Sequence, residues 1–252
     1  CYSENTWVEL KDYNINELHF FEYINNEYVD LPLSFFNRLY ALPVEAKGAI
    51  RQGCLYYEPQ KRLAGETDFN FNEKKYNYFF KILFNDYISG DISKEELQNG
   101  IDKLKGCQKM HHTILNFSLI QCNGNLQGAK SKGLLLGSKY EYLDRLDTFV
   151  FLLDKCFKLI HDGNMKALWE NDTIITNSTR VYRGYLIEYL KRFKNVEDYC
   201  EKVYFIADTT FIRKMIESGA KPILKGTDVI SYMNLAMEFW GKKEEALGKI
   251  YV

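Results

Sequence analysis

The spacing of apolar residues is most regular over 139–161, KYEYLDRLDTFVFLLDKCFKLIH. Leu143, Leu146, Val150, Leu153, Phe157 and Ile160 recur at intervals of three and four, predicting a central helix with one buried stripe over about six turns. Residues 74–88, KKYNYFFKILFNDYI, mix the same intervals with aromatic side chains and predict an aromatic-rich helix. In SKEELQNGIDKLKG, Ser93 and Glu96 have capping-box spacing and Gly106 is a suitable stop, so a short solvent-facing helix is expected. Beyond the HDGN turn, helices are expected at 178–193, 195–206, 208–218 and about 228–247, with Asn195 and Asp208 as N-caps and Gly219 as a C-terminal stop.

Strand patterns are few. HTILNFSLIQ, 112–121, alternates, and VYFIA, 203–207, is a second candidate. The first 60 residues mix aromatics with loop formers, and Pro32 and Pro43 bracket a helix-like segment. No repeat, low-complexity tract or long linker cuts the chain. The expected fold is mainly α with a small β-sheet (α+β): a single compact helix-rich domain over 1–252, with an aromatic-rich amino-terminal part to about 106 and a helical carboxyl-terminal part from 107.

Composition narrows the function classes. Thirty-three basic and 34 acidic residues leave a net charge of −1, which argues against a whole-surface footprint for a nucleic-acid polymer. No apolar run approaches the roughly 18 to 20 residues that span a bilayer, and no leader-like segment opens the chain, so a soluble cytoplasmic protein is expected. Cys1, Cys54, Cys107, Cys122, Cys156 and Cys200 are scattered without a CxxC pair, several in apolar surroundings, and read as reduced thiols rather than a disulfide framework. The abundance of Asn, Lys, Ile and Tyr beside four prolines has the flavour of an AT-rich prokaryotic or phage genome.

Candidate chemistry concentrates between residues 110 and 147. Strict alternation through 112–121 would align His112, Asn116 and Ser118 on one polar face, with His111 pointing oppositely as a structural or exposed residue. Buried polar groups of that kind need partners from protein, water or ligand. The next segment, CNGNLQGAKSKG, interleaves glycines with Asn125, Lys130 and Lys132; backbone amides and ammonium groups suit a phosphate or carboxylate, and an ordinary polar surface loop is the alternative. In LDRLD, Asp144 and Asp147 favour a helix amino terminus, and Arg145 is either their structural partner or a two-bond clamp for an anion.

Other motifs fail on spacing. His19, His111, His112 and His161 form no HxxxH or HExxH pair, no GxSxG elbow occurs, and neither metal nor cofactor is expected. Arg180, Arg183, Lys191, Arg192 and Lys194, interleaved with Tyr182, Tyr185 and Tyr189, suit either single-strand stacking or the solvated and packed faces of one helix.

The order of these parts resembles an uncharacterised bacterial family of unknown function: a His-Thr apolar segment, an Asn/Gly loop, and a helix opening Asp-Arg-Phe-Asp, where this chain has Leu146 in the Phe position. YLKRFKNVEDYCEKVYFIAD and YMNLAMEFWGKK are similar to later parts of the same pattern, extending the resemblance over about 110–245. It implies the position of a site and carries no activity. The expected function is binding of a small phosphorylated, nucleotide-like ligand by His112, Asn116, Asn125, Lys130, Lys132 and Arg145, as a sensor or sink for a signal in host–phage conflict. The alternatives are an enzyme using His112 or Asp147 as general acid or base, and a protein-interaction module using exposed aromatics.

Overall fold

The computed structural model describes residues 50–51, 54–55, 63–121, 130, 144–164 and 190–250. They are mostly helical. Among the described residues, the strands are β1 (Ile50–Arg51), β2 (Cys54–Leu55), β3 (Leu63–Thr67) and β4 (Phe117–Gln121). β1 pairs antiparallel with β2, and β2 with β3, Cys54 facing Ala64. The described residues fall into two compact units, one holding 69–117 and 223–250, the other the remainder.

The first unit contains α1 (Glu73–Ser89), α2 (Lys94–Met110), a 3-10 turn (Ile114–Asn116) and the last helix, Gly226–Ile250. Asn72 caps α1 by accepting from Lys75 N, and Gly90, at φ 82°, ends it in the left-handed conformation that glycine adopts without a Cβ clash. The Ser93–Glu96 capping box forms as expected. Two expectations for α2 are corrected. The helix runs through Gly106 to Met110, and it buries Leu97, Leu104 and Cys107 instead of facing solvent throughout. A glycine inside a helix costs about 1 kcal/mol relative to alanine, which burial of the next turn offsets. Phe69, Phe71 and Phe79 pack against Tyr232, Phe239 and Trp240 of the last helix at ring separations of 5.3 to 6.1 Å.

The second unit contains α3 (Leu146–His161), α4 (Val196–Tyr204) and α5 (Thr209–Gly219); the last helix of the chain is therefore α6. α3 buries Leu146, Val150, Leu153 and Phe157 as the stripe predicts, and Phe149, Leu152 and Cys156 beside them. It begins at Leu146, because Asp144 and Arg145 are non-helical and Arg145 is extended (φ −126°, ψ 126°); 139–143 lie outside the described residues. Asn195 and Asp208 cap α4 and α5 as expected. The strand expected at 203–207 does not form: Val203 and Tyr204 finish α4, and Phe205 turns the chain at φ 60°. Gly219 is the last residue of α5, as expected of a stop, but the C-cap that follows, Ala220, is right-handed, so the glycine is not there for a left-handed turn. Its lack of a side chain serves proximity, since a Cβ there would come within 2.1 Å of Asp147 O.

The segment 112–121 also departs from expectation. His111 and His112 turn out of α2, the 3-10 turn follows, and only from Phe117 is the chain a strand. His112, Asn116 and Ser118 therefore share no strand face. Residues 178–189, with Arg180, Arg183 and the three tyrosines, lie outside the described residues, as do Cys1 and Cys122.

Candidate functional site

The amino end of α3 gathers the charges. As N-cap, Arg145 makes no side-chain cap bond, and its guanidinium reaches the carboxyl end of α5. Nε and Nη2 donate to the two oxygens of Asp147 at 3.0 and 2.5 Å, Nη1 to Lys221 O at 2.8 Å, and Nη2 also to Ser218 O at 3.2 Å. Asp147 further accepts from Thr148 N at 2.9 Å and Ser218 Oγ at 2.8 Å, while Thr148 Oγ1 donates to Gly219 O at 3.1 Å. The arrangement follows from helix ends: α3 offers N–H groups and a positive pole to Asp147, and α5 offers a negative pole to Arg145, whose bond adds to the one that Ser218 O accepts from Lys221 N at 3.0 Å. Both side chains are buried. Such a pair contributes little net stability against an apolar substitute, yet breaking it from one side costs about 3 to 5 kcal/mol. Arg145 is thereby held in the fold by its own helices, and Asp147, surrounded by donors, orients groups.

Lys130 comes to the same place. Its buried ammonium donates to Thr67 O and to Asp144 Oδ1, the latter at 3.2 Å. Thr67 leads into Asp68, a buried carboxylate that accepts from Ser118 Oγ at 2.9 Å. Tyr204 belongs to this neighbourhood: burial first, then the charges of Tyr199 and Asp68, push its hydroxyl well above the ordinary tyrosine range, so it stays protonated. The structure thus brings Lys130, Asp144, Arg145 and Asp147 together.

His112 and Asn116 belong to the other unit. Asn116 is fully buried and spends its amide on the fold: Oδ1 accepts from Phe69 N at 2.8 Å and Trp240 Nε1 at 2.9 Å, and Nδ2 donates to Phe69 O at 2.7 Å and His111 O at 2.9 Å. Both donors and both acceptor positions of the amide are thereby used. Of the two histidines, His111 takes the structural alternative and His112 departs from its expected place on a polar face. His111 is buried and accepts from Phe71 N through Nδ1 at 3.3 Å, whereas His112 is exposed, its ring 4.4 Å from that of His111. Asn125 and Lys132 lie outside the described residues.

Asp68, Ser218 and Trp240 had no signal of their own. Asp68 and Asn70 alternate with Phe69 and Phe71 in a stretch rich in turn formers, so their burial was masked by residue type. Among the described residues, no cluster of His, Cys, Asp or Glu could hold a metal ion, and no helix is long and apolar enough to cross a membrane. Compared with known proteins, the chain matches no family model, no curated protein and no solved structure.

Proposed function

We propose that this chain is a cytoplasmic, helix-rich α+β protein that binds a small phosphorylated, nucleotide-like ligand at the amino end of α3, beside Lys130. The observation that supports the reading is the convergence of Lys130, Asp144, Arg145 and Asp147 there, with both cations buried. Four ionisable side chains at one helix end cost desolvation that an apolar cluster would avoid, so their retention suits recognition better than stability. In this reading the ligand phosphate takes over the ammonium of Lys130 from Asp144, whose half-buried position leaves it partly exposed. Arg145 is a positioning residue that fixes where α3 begins. Sensing or sequestering a nucleotide signal requires no bond to break. Among the expected catalytic candidates, His112 is exposed and Asp147 is engaged by Arg145, Thr148 and Ser218, so binding without turnover is favoured.

The test is calorimetric titration of the full chain with a panel of mono- and dinucleotides, preceded by native mass spectrometry for a carried ligand. Lys130→Gln should abolish binding. Lys130→Gln with Asp144→Asn should restore the melting temperature without restoring binding. A panel that yields no binder, or a Lys130→Gln protein that binds as wild type does, overturns the proposal.

A further inference from the structure

We draw no further inference here: the strongest candidate, the exposed apolar stripe of Phe80, Phe84, Tyr87 and Ile88 on the outward face of α1, carries nothing, because nothing in the structure shows what covers it.

Discussion

Replacing Gly219 by alanine sets two effects of known sign against each other. In an unhindered helix, alanine is favoured over glycine by about 1 kcal/mol. At Gly219, however, the added Cβ would lie 2.1 Å from Asp147 O, 2.3 Å from Asp147 C and 2.6 Å from Thr148 N, all backbone atoms of the facing helix. Ordinary contact begins near 3.4 Å, so α3 and α5 must part by about 1 Å or more. That opens the bonds spanning the contact: Thr148 Oγ1 to Gly219 O, Ser218 Oγ to Asp147 Oδ2, and Arg145 Nη2 to Ser218 O, now 3.1, 2.8 and 3.2 Å. Overfilling a packed contact costs about 1 to 3 kcal/mol, and each weakened bond to a charged group adds about 1 to 2 kcal/mol, so the net loss should be about 3 to 5 kcal/mol. Urea denaturation followed by circular dichroism measures it. Gly106→Ala is the internal control: Gly106 also lies within a helix, a Cβ there would meet nothing within 4 Å, and it should gain about 1 kcal/mol. A Gly219→Ala protein as stable as wild type, or stabilised like the control, would refute the assignment of this glycine to close helix approach.

Asn116→Ala should cost at least about 3 kcal/mol, because it strips partners from buried Phe69 N and Trp240 Nε1 as well as from two carbonyls. Asn116→Asp should fare no better, since a carboxylate cannot donate to Phe69 O or His111 O; denaturation monitored by tryptophan fluorescence decides, and a near-native Asp variant would sink the role. Burial opposes the charge of Asp198, but the bond from Lys194 N and the ammonium of Lys202 outweigh it and hold the carboxyl below its ordinary value of 3.8. Its stabilising effect is thus complete above that value and lost as pH falls through the lowered one, so the penalty for Asp198→Asn should be constant at neutral pH and shrink in acid. A penalty that instead grew on acidification would contradict the assignment.

What could be read from the sequence was local. The Ser93–Glu96 box and the caps at Asn195 and Asp208 involve residues within one turn of each other, and all three form. Arg145 and Asp147 were legible as an ion pair for the same reason. Their other partners, Ser218 and Lys221, lie more than 70 residues downstream and left no trace in the local pattern. Gly106 resembled a stop because residue type was the only guide; burial of Cys107 in the next turn carries the helix on. His112 was misplaced by the sensitivity of alternation to register: once a turn replaces the start of the strand, the periodicity that assigned its face no longer applies, while His111 takes the structural alternative. Lys130 was chosen for its charge; its partners, Thr67 O and Asp144, lie 63 and 14 residues away and left no local pattern.

The described stretches of the first unit, 69–117 and 223–250, lie on either side of the 118–222 stretch of the second. Its central amide, Asn116, waits for Trp240, which is synthesised 124 residues later, and Phe69, Phe71 and Phe79 wait for the rings of α6. During translation, α1 and α2 therefore leave the ribosome with only each other to pack against and the faces that α6 covers still open, while every described helix of the second unit is already made. Ribosome-bound chains halted before Gly226 would present an aromatic surface that chaperones recognise, and closing so long a loop slows the final docking step. The order of synthesis thus makes the last helix the event that commits the first unit to its fold.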